Sequence, residues 1–167
     1  GSGKSTTLYS MISSLNTPDR KIITLEDPIE FGVPGVSQVP VNTTDGQNFA
    51  DHLRSVLRLD PDVIMIGEIR DNKTADVVMN AAYSGHLVIA SLHTNSIETT
   101  ILRLSNLGIS PFLISYCLRG IISQSLTHDT HHQLKLTSQV LVCKTPYIIT
   151  NTKNDLTEFL KHNTLIS

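Results

Sequence analysis

Two short apolar runs, Ile22-Ile23-Thr24-Leu25 and Val63-Ile64-Met65-Ile66, each break off at a carboxylate: Glu26-Asp27-Pro28 after the first, Gly67-Glu68 after the second. Unbroken apolar runs of this length belong to strands buried on both faces. Between and after them stand segments with helical spacing: Leu8, Met11, Ile12 and Leu15, then Phe49, Leu53, Val56 and Leu57, then residues 75–83 and 97–107. A further strand is expected at 87–91 and a further helix at 111–125. Turn signals separate these elements: Asn16-Thr17-Pro18-Asp19, a Gly/Pro-rich connection over 31–45, Asp60-Pro61 and Gly108. Strands alternating with helices predict an α/β fold, a largely parallel sheet with helices on both faces. In such a sheet ligands bind outside the carboxyl ends of the strands. Glu26, Asp27 and Glu30 past the first strand, and Glu68 and Asp71 past the second, are therefore expected to converge on one site.

Beyond Thr127 the text turns polar and rich in histidine, then resumes with two strand-like runs, Val140-Leu141-Val142-Cys143 and Tyr147-Ile148-Ile149, and a short helix over 156–160. The expected division is a core over 1–126 and a small α+β extension over 127–167. His128-Asp129-Thr130-His131-His132 carries metal-capable side chains, but zinc sites draw separated ligand pairs from two elements, so a polar loop is the preferred reading.

With 167 residues, 40% of them apolar, the chain is long enough for one packed domain. A formal charge of −2 and 5% aromatic residues supply neither the basic excess nor the stacking platforms of a nucleic-acid binder. Cys117 and Cys143 lie far apart in apolar text, which favours free thiols over a disulfide framework. No apolar run approaches the roughly 20 residues that span a bilayer.

The chain opens with Gly1-Ser2-Gly3-Lys4-Ser5, the last five positions of a G-x-x-x-x-G-K-S/T phosphate loop. Its glycines let backbone N–H groups approach phosphate, and the helix that follows turns its positive end to the anion. Lys4 would reach the β/γ-phosphates and the Ser5 hydroxyl would ligate Mg2+. A flexible Gly/Ser tail is the competing reading of the loop alone. Hydrolysis also needs a carboxylate near the attacking water and cations to offset the phosphoryl charge. His93, at the carboxyl end of the third strand, has a donor to offer a γ-phosphate, whereas His86, at the other end, reads as structural. Arg54 and Arg58, four apart on one helical face, suit either a phosphate-directed finger or surface pairing, and Arg70 is placed to hold Glu68 or Asp71.

Read together, these segments resemble the secretion ATPase superfamily, specifically the motors of type II secretion and type IV pilus assembly. The matching text is Gly1 to Thr7 as the end of the Walker A loop; I-T-L-E-D-P-I-E-F from Ile23 as the Asp box; V-P-V-N from Val39; F-A-D-H-L-R-S-V-L-R-L-D-P-D from Phe49; V-I-M-I-G-E-I-R-D from Val63 as the Walker B region; and S-G-H-L-V-I-A-S-L-H-T-N-S from Ser84 as the His box. The resemblance implies a RecA-like P-loop core in a homohexamer, an ATPase bound to ATP and Mg2+, cytoplasmic and peripheral to an inner-membrane platform protein that it drives. Carried over residue by residue, it makes Gly1, Ser2, Gly3, Lys4, Ser5 and Thr6 nucleotide-binding and Glu68 and Glu26, unranked, the candidates for activating water and organising Mg2+, with Ser5 on the Mg2+ side and His93 a further catalytic candidate; Arg54 and Arg58 are finger candidates by their spacing alone. Gly67 stands where many P-loop proteins carry the Walker B aspartate, so Glu68 is expected to cover that duty. The wording around Val39 and Phe49 is closer to assembly than to retraction motors. Gln124-Ser125-Leu126 departs from the family's Gln-Arg-Leu, and the opening at Gly1 predicts an N-terminally truncated chain. A retraction motor and a non-catalytic remnant that binds nucleotide or partner subunits are the alternatives.

Overall fold

The computed structural model describes residues 2–42, 49–128, 134–143 and 164–166. The chain divides into two units, Ser5–Leu92 on the one hand and Gly1–Lys4 with His93–Ser167 on the other.

Within Ser5–Leu92 the elements are α1 (Lys4–Leu15, beginning one residue earlier), β1 (Ile22–Glu26), β2 (Ser37–Pro40), α2 (Phe49–Leu57), β3 (Val63–Ile66), α3 (Asn72–Tyr83) and β4 (Leu87–Ala90). The four strands form one sheet in the order β2-β1-β3-β4, and every pairing is parallel. All five residues of β1 and all four of β3 are buried, as the apolar runs predict for Ile22 to Leu25 and Val63 to Ile66; Glu26 is buried with them. Strand β2 lies inside the connection expected over 31–45; its Ser-Gln-Val-Pro text has no apolar run to announce it, because it is an edge strand with partly exposed residues.

Alternation along the strands decides what faces what. Ile22 pairs with Val63, Thr24 with Met65, and Met65 with Ile89. On this side Ile22, Val63, Met65 and Ile89 close a core with Leu8 and Ile12 of α1. Glu26, two residues beyond Thr24, falls on the same side of β1, toward α1. The alternate set, Ile23, Leu25, Ile64 and Ile66, is equally buried, and α2 and α3 pack on each other and against β1 and β4. Asp60, in the left-handed region at φ 53, turns the chain ahead of Pro61; short polar side chains tolerate that conformation better than most.

In the other unit Ser96 caps α4 (Ile97–Asn106) with a full capping box, its side chain accepting from Thr99 N while the Thr99 side chain accepts from Ser96 N. Ser110 caps α5 (Pro111–Cys117), with proline in the first turn, where a missing N–H costs nothing. The helix expected over 111–125 ends at Cys117. Leu118 is already extended, with φ −66 and ψ 124, and β5 (Gly120–His128) pairs antiparallel with β6 (Leu134–Val142), which pairs with β7 (Thr164–Ile166). The physical reason lies in the residues themselves: Gly120 and the β-branched pair Ile121-Ile122 disfavour helix, and Ile-Ser-Gln-Ser-Leu has no helical apolar stripe. The run Val140-Leu141-Val142 is the end of a longer strand that begins in the polar text. The expected strand at 147–149, the helix at 156–160 and residues 129–132 of the histidine-rich segment lie outside the described residues.

Candidate functional site

Because β1 and β3 are parallel neighbours with Leu25 opposite Ile66, they deliver Glu26 and Gly67-Glu68 to the same end of the sheet. Gly67 N–H donates to the Leu25 carbonyl at 2.8 Å, extending the ladder one residue past the strand. Glu26 is 4% exposed and its charge is met by three donors: Thr24 Oγ1 at 2.5 Å and Gln38 Nε2 at 3.0 Å on Oε1, and the Tyr9 hydroxyl on Oε2. A buried carboxylate is tolerated only when so bonded. The Tyr9 phenol is pushed above its ordinary value by burial and further by its bond to Glu26.

Glu68 is paired with the Arg70 guanidinium, which also stands 3.7 Å from Asp27. Arg70 thus ties the two acidic segments together, and its hydrogen bond to Glu68 raises its pKa. Asp71 is engaged elsewhere, for its carboxylate accepts from Thr74 N at 2.8 Å and Thr74 Oγ1 at 3.1 Å, capping α3. At the start of α1, the Ser5 hydroxyl donates to Glu30 Oε1 at 2.8 Å. Ser5, Glu26, Glu30, Glu68 and Arg70 all belong to the Ser5–Leu92 unit.

The other unit holds an open cleft of about 370 Å3 lined by Ser2, Lys4, His93 and Thr94, with Asn95 and the Gln124-Ser125-Leu126 stretch of β5. An ammonium, an imidazole, hydroxyls and amides line it without a carboxylate, a donor-rich set suited to an anion. Gly3, at φ 83, takes the left-handed turn into α1 that a side chain would resist.

The remaining sequence candidates fall as follows. Thr6 is exposed on α1 and Gly1 lies outside the described residues. Arg54 pairs with Asp51 of its own helix at 2.9 Å, both side chains being about half exposed, and Arg58 is exposed just beyond α2. His86 packs its ring nitrogen Nδ1 3.1 Å from the Ala81 carbonyl and the Ser84 hydroxyl, the structural role expected of it. Sequence reasoning missed Tyr9, Thr24 and Gln38. Two of them leave a trace: Thr24 is the polar residue in an apolar run at strand period with Glu26, and Tyr9 interrupts the apolar stripe of α1 with a hydroxyl that needs a partner once buried.

For a divalent cation the available donors are oxygens, the Ser5 hydroxyl and the carboxylates of Glu26, Glu30 and Glu68, which is hard-cation chemistry. Among the described residues no three His, Cys, Asp or Glu form a group that could hold a metal alone. That donor set fits Mg2+, which is bound by one or two protein oxygens together with substrate phosphates and water.

The profile of the family described as Type II/IV secretion system protein matches residues 1–160. The chain is 52% identical over 126 residues to the putative type II secretion system protein E of Escherichia coli, covering 75% of this chain and 26% of that protein. It is 43% identical over 166 residues to the type II secretion system ATPase E of Vibrio cholerae, covering 99% of this chain and 31% of that one. Against the type IV pilus assembly ATPase PilB of Myxococcus xanthus the identity is 55% over 126 residues, 75% of this chain and 22% of the relative. The chain therefore spans about a quarter to a third of these relatives. Among solved structures, the pilus retraction motor PilT with bound ADP superposes with a TM-score of 0.80 at 38% identity, over 96% of this chain and 48% of that chain. The Legionella pneumophila ATPase DotB does so with a TM-score of 0.80 at 31% identity, over the same shares. The expected α/β class, with its parallel sheet and flanking helices, is that of these ATPases, and the chain belongs to the type II/IV secretion system protein family.

Proposed function

We propose that this chain is the nucleotide-handling part of an ATP-hydrolysing motor that powers pilus or pseudopilus assembly or type II secretion. The observation that carries this reading is the delivery of Glu26 and Glu68 to one end of the sheet by adjacent parallel strands, with Ser5 at the start of α1 bonded to Glu30 of the same acidic segment. The names of the curated relatives supply the biological setting.

In this reading Ser2, Gly3, Lys4 and Thr6, with Gly1, cradle the phosphates through backbone N–H groups and the Lys4 ammonium. Ser5 and Glu68 would hold Mg2+, which when bound would offset the phosphoryl charge. Glu26 takes the proton of the attacking water or orients it, and His93 donates to the terminal phosphate. Arg70 keeps the Glu68 carboxylate in place, and Arg54 or Arg58 serves as the arginine finger. The full-length protein acts as a hexamer at the cytoplasmic face of the inner membrane, on a platform protein. Among the described residues no helix is long and apolar enough to cross a membrane.

The test is steady-state ATP hydrolysis by the full-length protein. Lys4→Ala is expected to abolish turnover, and a variant that hydrolyses ATP at the normal rate would reject the assignment. The superposition on PilT favours a second reading, a retraction motor. A deletion strain separates the two: loss of pili points to assembly, accumulation of pili to retraction.

A further inference from the structure

Three donors meet the Glu26 carboxylate, and they are not equivalent. Thr24 and Gln38 both bond Oε1. Thr24 is a neighbour on the same strand, and Gln38 is itself held, accepting from Val33 N at 2.7 Å and donating to the Phe31 carbonyl at 3.1 Å. The Tyr9 hydroxyl alone bonds Oε2 among the described residues. A carboxylate offers about four lone-pair sites; two on Oε1 and one on Oε2 are taken, which leaves the second lone pair of Oε2 as the basic position. Where it points depends on Tyr9.

The Tyr9 hydroxyl has no freedom to look elsewhere. It accepts the Glu30 backbone N–H at 3.2 Å, so its single proton is directed to Glu26. Its ring is 4% exposed and packs against Phe31 with centroids 3.9 Å apart. The same Glu30 whose N–H orients the phenol accepts the Ser5 hydroxyl through its side chain. The phosphate-loop serine and the Glu26 carboxylate are thus joined through Glu30 and Tyr9, at the amino end and in the middle of one helix.

We propose that Tyr9 is a positioning residue for ATP hydrolysis: its hydroxyl fixes Glu26 Oε2 so that the remaining lone pair of that oxygen faces the attacking water. This rests on the reading that Glu26 acts at the nucleotide.

The experiment is a kinetic cycle in the full-length protein with Tyr9→Phe, Glu26→Gln and the double variant, with thermal unfolding and ATP affinity measured alongside. Tyr9→Phe keeps the ring and removes only the hydroxyl. The expected result is a fall in kcat on the order of 10-fold to 100-fold, the scale of a misplaced catalytic group, with KM for ATP and ATP affinity changed less than about twofold. In the Glu26→Gln background the same substitution is expected to change kcat by less than about twofold, because the oxygen it aims no longer acts as a base. An unchanged kcat in Tyr9→Phe, an equal loss in both backgrounds, or a loss of folding or ATP affinity would each overturn the proposal. If Glu26→Gln itself turns over normally, the underlying assignment of Glu26 is wrong. If Glu26→Gln is inactive while Tyr9→Phe is normal, only the role of Tyr9 is.

Discussion

Gly67 reaches across to the Leu25 carbonyl with its N–H at 2.8 Å, and Glu26 and Glu68 leave the same end of neighbouring strands, Glu68 one residue past the level of Glu26. A Cβ at Gly67 would sit 3.4 Å from the Leu25 carbonyl and 3.6 Å from Glu26 Cα, ordinary van der Waals contact with β1. In the proposed function the acidic role at this strand end belongs to the next residue, Glu68. Glu68→Gln in the full-length protein is expected to lower ATP hydrolysis on the order of 100-fold or more, the scale of a lost acid–base or metal-side carboxylate, while ATP binding without metal persists. Hydrolysis within a few-fold of normal, measured by phosphate release, would remove Glu68 from the site.

Asp71 separates a structural carboxylate from the catalytic candidates one turn away. Its side chain accepts the Thr74 N–H at 2.8 Å as the N-cap of α3. Asp71→Ala is expected to cost about 1 kcal/mol of stability and to leave ATP affinity unchanged. Chemical denaturation paired with a nucleotide-binding titration checks both. A variant with normal stability and lost nucleotide binding would place Asp71 in the site instead.

How much of the molecule is legible in its sequence depends on what each signal encodes. The buried strands β1 and β3 are legible because a strand covered on both faces reads as a near-continuous apolar run, and Ile22 to Leu25, interrupted only by Thr24, and Val63 to Ile66 provide one. Strand β2 is not, since an edge strand with Ser37 and Pro40 exposed has no such requirement. The helix expected through 125 fails for a related reason: β5 is held by its pairing with β6, a partner remote in sequence, so composition inside 120–128 carries only part of the information. In the site, the carboxylates at strand ends can be found from spacing. The donors that fix Glu26 cannot all be found, because Gln38 arrives from β2 by tertiary register alone.

Gly120 tests the hairpin of the second unit. A Cβ there would lie 2.9 Å from the Leu141 carbonyl, a backbone atom with no side-chain freedom to yield, where β5 pairs with β6. Gly120→Ala is expected to destabilise the protein by about 1–3 kcal/mol, the usual scale of forced overpacking. The thermal midpoint reports it directly. An alanine variant that melts with the wild type would mean that β5 and β6 separate at this point without cost.

Cys143 carries a prediction about chemistry that should not occur. It follows directly on β6, its N–H bonded to the Arg119 carbonyl at 3.0 Å, and burial pushes its thiol from the ordinary 9.0 up to about 11. The nearby Arg119 guanidinium favours the thiolate but is outweighed by burial. At pH 8 the folded chain then holds only about one thiolate in a thousand at this position, against roughly one in ten for an ordinary thiol, and the thiolate is the reactive form. Alkylation of Cys143 by iodoacetamide is therefore expected to run on the order of 100-fold slower in the native protein than in denaturant at the same pH. The sign for stability follows from the same shift. The unfolded chain gives up this proton first as pH rises, so the contribution is complete below the ordinary value of 9.0 and declines progressively toward about 11. Peptide mapping after timed alkylation measures the rate residue by residue, and equal labelling of Cys143 in the folded and denatured chains would show that the thiol is not shielded at the end of β6.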